Sequence, residues 1–194
     1  MRMSKEAMAR HHNEIVEAAS RMFRERGIEG TSVADLMQAA GLTHGGFYRH
    51  FESKEALVAE AAQSIYDDLV QSFATKAEKA SDAEVVADYL EKYLTRYHVS
   101  HPGAGCPMAA LGVEAAREPA DVQRVFANGT QRTIDKLSAG LSGTPAERRA
   151  KAIRTVASLV GAVVIARAVG DGALSEEVLA ANREGLGVAR PRKR

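Results

Sequence analysis

The sequence has very little of several residue types that mark specialised classes of protein. It contains one cysteine, Cys106, no tryptophan, five prolines and 5% aromatic residues among 194. A single cysteine cannot form a disulfide framework within one chain, so small disulfide-rich secreted domains are excluded. No apolar run reaches the roughly 18 residues of a membrane span, and the first residues lack the apolar stretch of a signal peptide. These absences predict a cytoplasmic protein.

What the sequence does contain is typical of a helical globular chain. Apolar residues make up 45% and charged residues 26%, with a net charge of +1, which excludes a disordered or fibrous chain. Alanine, the best helix former, is frequent throughout, whereas the alternating β-branched or aromatic runs of strands are missing. We therefore predict an all-α fold.

Four helices are predicted in the first part of the chain. An apolar stripe predicts a helix over residues 13–26, which ends at Gly27. Two short helices follow, over residues 33–40 and from residue 44, and a fourth helix starts after Ser53. Two short helices separated by a three-residue turn that contains glycine are typical of a helix-turn-helix.

Longer helices are predicted for the remainder of the chain. Apolar periodicity and helix breakers place them at residues 82–97, 107–117, 119–141, 145–169 and 175–182. The predicted organisation is an N-terminal helix-turn-helix domain at 1–55, a second helical domain at 56–187 and a basic, disordered tail at 188–194.

The run from Thr31 to Leu57 resembles the DNA-binding domain of TetR-family transcriptional regulators. It combines the spacing of the two short helices, the turn glycine, a Phe-Tyr-x-x-Phe sequence at 47–51 and a Ser-Lys-Glu helix start at 53–55. Residues 18–27 resemble the first helix of the family. The resemblance implies an N-terminal three-helix DNA-binding domain, a C-terminal helical domain for ligand binding and dimerisation, and repression of transcription as the usual outcome.

In the resembling family, the third helix lies in the major groove of DNA. The outward face predicted for that helix is polar or small, as contact with base edges and close approach to the backbone require. The resemblance implies that Tyr48 and Lys54 contact phosphates, although each alone would also suit a surface aromatic or a solvated charge. The predicted DNA-contact residues are Thr31, Thr43, His44, Gly45, Tyr48, Arg49, His50 and Lys54.

The net charge of this part does not favour DNA by itself. Residues 1–60 carry eight Lys and Arg against nine Asp and Glu. DNA affinity must therefore come from an uneven distribution of charge, and it is expected to fall steeply with salt. Some basic residues near the N-terminus would form either an arm that reaches an adjacent groove or a solvated tail: Arg2, Lys5, Arg10, His11 and His12.

A two-fold dimer is expected because one such module contacts few bases. Residues 155–169 are apolar around most of the helix circumference, and the helix at 119–141 would join them in a four-helix bundle with the partner's copies. Burial within its own chain is the alternative for this stretch. The predicted interface residues are Val125, Ile134, Val156, Leu159, Val160, Val163, Val164 and Arg167.

An effector site is expected in the C-terminal domain, because a regulator needs a ligand that favours one of two states. Aromatic and sulfur-containing side chains on its central helices are the candidates, and a helical core would explain them equally well. The candidate residues are Tyr66, Tyr89, Tyr93, Tyr97, His98, Met108 and Phe126, with Cys106 as a sensor.

Cys106 follows a glycine-rich break and precedes Pro107 at a predicted helix start, where backbone amides would stabilise a thiolate. The stretch 105–108 resembles a region of TetR-family members that sense oxidants or electrophiles through a cysteine. A buried apolar cysteine is the alternative. The spacing from His98 through His101 to Cys106 is not a standard zinc pattern, so no metal or other cofactor is expected.

Two other classes of function are alternatives to a DNA-binding regulator. The sequence lacks a Gly-x-Ser-x-Gly motif, a P-loop, a dinucleotide fingerprint and a His-Glu-x-x-His motif, which argues against an enzyme. A helical interaction module without DNA binding is the other alternative, and the intact turn with Tyr48 and Lys54 argues against it.

Overall fold

The computed structural model describes residues 4–188, and over this range the chain is helical without a strand. Its α-helices are α1 (Lys5–Arg26), α2 (Val33–Ala39), α3 (Lys54–Ala77), α4 (Asp82–Tyr93), α5 (Arg96–Ser100), α6 (Pro107–Ala115), α7 (Ala120–Ala139), α8 (Pro145–Ala168) and α9 (Ala173–Gly185). A 3₁₀ helix, His44–Arg49, lies between α2 and α3 and is called the 3₁₀ segment below. A second, Pro102–Ala104, lies between α5 and α6.

The predicted all-α fold is confirmed. Within residues 4–188 no helix combines the length and the apolar character needed to cross a bilayer. The predicted basic tail lies outside the described residues, apart from Val188.

Helix α1 begins well before the apolar stripe that predicts a helix from residue 13. Ser4 Oγ accepts a hydrogen bond from the N–H of Ala7 at 3.1 Å, and Glu6 lies in the first turn. A complete helix start therefore precedes the stripe. The prediction of an N-terminal arm is wrong for four residues that lie on α1, namely Lys5, Arg10, His11 and His12. Arg2 lies outside the described residues.

The helix predicted over residues 82–97 is two helices. α4 ends at Tyr93, and Thr95 caps α5 by accepting a hydrogen bond from the N–H of His98 at 3.2 Å. The apolar periodicity continues across this break, but the local cap redirects the chain. As a result Tyr97 is 63% exposed.

Two hydrophobic clusters form the interior, and the first crosses the predicted domain boundary. It joins α1, α2, the 3₁₀ segment and α3 to α6 and α7, with Phe23, Phe47, Leu111 and Phe126 among its buried members. The second cluster joins the C-terminal half of α3 to α4–α9. Helix α3 runs through both clusters, and the predicted boundary after residue 55 falls in its first turn. The two parts therefore share buried surface.

Candidate DNA-contact surface and effector cavity

The helix-turn-helix consists of α2, a short turn and the 3₁₀ segment. α2 starts with a capping box, in which Ser32 Oγ accepts from the N–H of Asp35 at 3.1 Å and the Asp35 carboxylate accepts from the N–H of Ser32 at 3.2 Å. Phe47 of the 3₁₀ segment is completely buried and packs against Phe51, with ring centres 5.6 Å apart. Because Phe47 faces the interior, the opposite side of the segment faces solvent.

The solvent side of the 3₁₀ segment carries most of the predicted contact residues. Tyr48 is 71% exposed, and Thr43, His44, Gly45 and Arg49 are exposed as well. The predicted α-helix is wrong in type, because the turns here are 3₁₀ and Thr43 provides no side-chain cap. Glycine is a poor α-helix former, and short 3₁₀ turns serve as connectors of this kind.

Lys54 lies in the first turn of α3, directly after the 3₁₀ segment. Ser53 Oγ caps this helix by accepting from the N–H of Ala56 at 3.2 Å, and Lys54 is half-buried. An ammonium group beside the unpaired N–H groups of a helix start is suited to binding phosphate.

Packing within the protein would allow a side chain at position 45. A Cβ atom at this position would have no neighbour within 4 Å, whereas one at Gly46 would meet Met37 Cε at 3.4 Å. Neither glycine has a positive φ. The missing side chain of Gly45 therefore leaves room for close approach from outside the protein.

Two predicted contact residues pack against the protein. Thr31 is completely buried and its hydroxyl donates to the Gly27 carbonyl at 2.7 Å, so its predicted DNA contact is wrong. His50 is half-buried beside Phe51 and His12, and the His12 ring stacks on Phe51 at 4.6 Å. Burial, followed by nearby positive groups of which His12 is the first, lowers the pKa of His50.

The start of α1 lies beside the 3₁₀ segment. Lys5 and His12 of α1 share a shallow depression of about 480 Å³ with Arg49 and His50. On its other side His12 Nε2 lies 2.5 Å from Glu60 Oε1 of α3. Two cationic side chains, Lys5 of α1 and Arg49 of the 3₁₀ segment, therefore border the same depression.

A large cavity opens between α1, α3, α4 and the segment from Thr95 to Pro107. Its volume is about 1440 Å³, more than the roughly 300–1,000 Å³ of common ligand sites. Apolar residues of α1 and α3 share its walls with charged ones, such as Val16, Ile65, Leu69, Arg24 and Asp68. The predicted effector residues that line it are Tyr89, Tyr93, Tyr97, His98 and Cys106.

The remaining predicted effector residues lie outside this large cavity. Tyr66 and Phe126 are buried with their rings edge to face at 6.0 Å, and the Tyr66 hydroxyl pairs with Thr130 Oγ1 at 3.3 Å. Met108 is half-buried beside a second space of only about 10 Å³. Helix packing places Tyr66, Met108 and Phe126 in the interior, outside the large cavity, and their contact with an effector stays a prediction.

Cys106 is held through its backbone. Its N–H donates to His98 Nε2 at 3.0 Å, and His98 Nδ1 donates to the Tyr93 carbonyl at 2.8 Å. A carbonyl only accepts, so Nδ1 carries the proton and Nε2 is the acceptor of a neutral histidine. Burial, followed by the positive charges of Arg167 and Arg24, lowers the pKa of His98 and keeps it neutral.

These contacts leave neither ring nitrogen of His98 for a metal ion. Within residues 4–188 no three His, Cys, Asp or Glu side chains come together in a way that would hold one. The histidine also needs glycine at position 105, because a Cβ atom on Gly105 would lie 2.5 Å from His98 Nε2.

Polar contacts tie Gly105 and α6 to α1 and to the turn that leads into the helix-turn-helix. Arg24 of α1 donates to the Gly105 carbonyl at 2.8 Å. Glu114, near the end of α6, accepts from the N–H of Ile28 at 2.9 Å in the turn between α1 and α2. α6 therefore connects the cavity with the helix-turn-helix. The sequence did not predict a role for Arg24 or Glu114. The signal for Glu114 was that it is the one acidic residue in the apolar stretch 107–115.

Most of the predicted dimer residues face the interior of their own chain. Ile134, Leu159 and Val163 are buried in the second cluster, so their predicted interface role is wrong. Arg167 is also occupied internally, because it donates to three backbone carbonyls. Val125, Val156 and Val160 are partly buried against the two clusters.

The other side of α8 is apolar as well, and it is exposed. Ile153, Val164, Ile165 and Val169 are 39–48% exposed, and a Cβ atom at Gly161 would have open space. At 100° per residue these positions, except Val169 at the edge, share one face of the helix. The sequence could not separate the two apolar sides of α8, because both have the same composition.

Comparison with known proteins assigns the N-terminal part of the chain to a family. Residues 15–61, which contain most of α1, all of α2, the 3₁₀ segment and the start of α3, match the family described as bacterial regulatory proteins of the tetR family. This part of the chain therefore has the N-terminal domain of that family.

Two curated relatives are similar to part of this chain in sequence. The transcriptional repressor DhaR of Mycobacterium sp. (strain GP1) is 35% identical over 100 residues, which is 52% of this chain and 50% of DhaR. The transcriptional repressor KstR2 of Rhodococcus jostii (strain RHA1) is 43% identical over 56 residues, which is 29% of this chain and 28% of KstR2. The chain thus spans half or less of these two relatives.

A solved structure extends the similarity in fold to nearly the whole chain. The TetR-family regulator from Agrobacterium tumefaciens has a TM-score of 0.76 at 23% identity, covering 92% of this chain and 98% of that one. At this identity the likeness shows a shared fold.

Proposed function

We propose that the protein is a dimeric transcriptional repressor that leaves its operator when an effector occupies the large cavity or modifies Cys106. The observation that carries the proposal is an exposed 3₁₀ segment, with Tyr48 at 71% exposure, in the part that matches the family. The names of DhaR and KstR2 as repressors support the direction of regulation.

The exposed residues divide into phosphate and base contacts. Tyr48 and Lys54 supply a hydroxyl and an ammonium group for phosphates, which fix the position of the protein on the duplex. His44 and Arg49 carry the hydrogen-bonding groups that reach base edges in the major groove. Gly45 lets the backbone approach closely.

The exposed face of α8 is the proposed dimer interface. Among the predicted interface residues, Val164 at 39% exposure lies on this face, and Ile153 and Ile165 extend the apolar surface on either side of it. A two-fold arrangement of this face would bring two helix-turn-helix units to a pseudo-palindromic operator.

Effector release is proposed to run through α6. Cys106 precedes its first turn and Glu114 lies near its end, where it holds the turn between α1 and α2. An effector that favours a different position of α6 would favour a different position of the helix-turn-helix, and this differential affinity is what release requires.

Fluorescence anisotropy tests the proposal, with labelled DNA from the region flanking the protein's own gene and non-specific competitor DNA. Wild type should bind tightly in competitor. Tyr48→Ala and Lys54→Ala should each weaken binding about tenfold across sequences and reduce the salt slope by about 1. Lys79→Ala, an exposed lysine beyond the end of α3, is the matched control and should bind like wild type. Unchanged affinity in both test variants would contradict the assigned contacts, and no binding at low salt would indicate an interaction module.

A further inference from the structure

The depression between the start of α1 and the end of the 3₁₀ segment is lined by titratable groups of one kind. Lys5 and His12 of α1 border it on one side, and Arg49 and His50 border it on the other. The other lining residues that the structure describes are uncharged, so no acidic side chain of the range 4–188 contributes to this wall. A surface with basic groups and no acid is suited to an anionic partner.

The position of the depression indicates which anion that is. Arg49 belongs both to the depression and to the exposed side of the 3₁₀ segment, next to Tyr48. Duplex DNA carries about one negative charge per 1.7 Å of its axis, so a segment that enters the major groove brings its flanks to backbone phosphates. The anion at this place is therefore a phosphate of the duplex that the 3₁₀ segment contacts.

His12 is held in place between α3 and the residue after the histidine pair. Its Nε2 lies 2.5 Å from Glu60 Oε1, and its ring stacks on Phe51 with centres 4.6 Å apart. A carboxylate only accepts hydrogen bonds, so Nε2 donates whether the imidazole is neutral or protonated. When His12 is protonated, Glu60 balances its charge. His12 thus keeps its position in both protonation states.

His50 is half-buried, and its ring centre lies 6.0 Å from that of His12. The charged and titratable groups around it are Lys5, His11 and His12 of α1, the adjacent Arg49 and Glu52, and Glu60 of α3. Glu60 is engaged by His12, and Glu52 is exposed. Burial, followed by the positive groups His12, His11 and Arg49, lowers the pKa of His50. His50 is therefore the group of this cluster that an arriving negative charge affects most.

We propose that the depression binds a phosphate of the DNA backbone and that His50 takes up a proton from solvent when this phosphate arrives. The inference rests on the proposed function, because it adds a contact and a proton to the same DNA complex. A phosphate oxygen accepts a charge-assisted hydrogen bond from the protonated imidazole, with Lys5 and Arg49 beside it. The phosphate charge opposes the positive surroundings of His50 and raises its pKa in the complex.

Proton uptake makes DNA affinity depend on pH in one direction. In the free protein the pKa of His50 is lowered from 6.5, so the imidazole is neutral at pH 7.5. Between the lowered pKa of the free protein and the raised pKa of the complex, binding takes up a proton. The Kd therefore falls as the pH falls through this window, by at most about tenfold per pH unit for one proton. Below the lower pKa both states are protonated and the dependence ends.

Fluorescence anisotropy at constant salt measures this dependence, with labelled DNA from the region flanking the protein's own gene. The Kd of wild type should be about fourfold lower at pH 6.0 than at pH 7.5, and His50→Gln should reduce this difference to about 1.5-fold or less. At pH 7.5 His50→Gln should bind within about twofold of wild type, because the imidazole is neutral there. His101→Gln, at an exposed ring that stacks on Tyr97 at 4.1 Å, is the matched control and should keep the dependence of wild type. Lys5→Ala should weaken binding at both pH values and reduce the salt slope by about 1.

A second measurement uses wild type alone and does not depend on the folding of a variant. Calorimetric titrations at pH 6.5 in buffers of different ionisation enthalpy give the number of protons taken up, which should be about half a proton per bound protomer. No proton uptake would overturn the proposal, and so would a pH dependence that persists in His50→Gln and disappears in His44→Gln. Absence of DNA binding at both pH values would overturn the proposed function and this inference with it, whereas binding without proton uptake would overturn the inference alone.

Discussion

Replacing Glu114 by alanine should loosen the turn between α1 and α2 and thereby weaken DNA binding. The Glu114 carboxylate accepts the N–H of Ile28 at 2.9 Å, and Ile28 is 2% exposed. Removing the acceptor leaves a backbone amide without a partner, which costs about 1–3 kcal/mol. Glu114→Gln keeps an oxygen acceptor and loses only the charge, so it should cost less than about 1 kcal/mol, since hydrogen bonds to charged groups are roughly twice as strong as neutral ones.

Urea denaturation and DNA anisotropy together measure this effect. Glu114→Ala should lower the free energy of unfolding by the stated amount, raise the Kd for DNA and reduce the response to effector, because the contact of α6 with the turn before α2 is lost. Glu91→Ala, which removes an exposed acid of α4, is the control and should stay within about 0.5 kcal/mol of wild type. A urea midpoint for Glu114→Ala equal to that of wild type would refute the reasoning.

Three further predictions follow from the same structure. Gly45→Ala should raise the free energy of unfolding by up to about 1 kcal/mol, because alanine loses less backbone entropy, while it weakens DNA binding in the anisotropy assay; unchanged affinity would mean that DNA does not approach this position. Because the pKa of His98 is lowered from 6.5, the unfolded chain binds more protons than the folded one below that pH, and stability that is complete above pH 6.5 should fall as the pH drops toward the lowered pKa. Urea melts at about pH 7.5 and 5.5 should show this loss, and His98→Gln should reduce it; an equal loss in the variant would assign it to other groups such as His50. Ile153→Asp should convert a dimer into a monomer of intact helicity, as measured by light scattering and circular dichroism, and a dimer that persists would exclude the exposed face of α8 as the interface.

The fold class and the helix-turn-helix could be predicted because their signals are local. Apolar stripes, caps and the turn glycine lie within short stretches, and the exposed positions of Tyr48 and Arg49 follow from the burial of Phe47 on the opposite side. Local signals also explain the two helix bounds that were missed. Ser4 starts α1 ahead of the apolar stripe, and Thr95 interrupts a periodicity that continues through it.

The large cavity could not be predicted because distant segments form it. Arg24 and Gly105 are 81 residues apart in sequence and make one hydrogen bond, and Glu114 meets Ile28 across 86 residues. The tyrosines of the central helices repeat at the spacing of a helical core, so Tyr66 could not be distinguished from Tyr93. Only the arrangement of helices shows that Tyr93 lines the large cavity while Tyr66 packs beside it in the interior.

The first hydrophobic cluster, which includes Leu111 and Phe126 alongside Phe23 and Phe47, has a consequence for how the protein melts. A fragment cut after residue 61 would expose the apolar side of the helix-turn-helix to water, so this part should not melt independently of α6 and α7. A ligand that binds only the folded state stabilises it by RT ln(1 + [L]/Kd). A compound held in the cavity would therefore raise the melting temperature of the helix-turn-helix part too, and a thermal-shift screen could find effectors without an operator sequence.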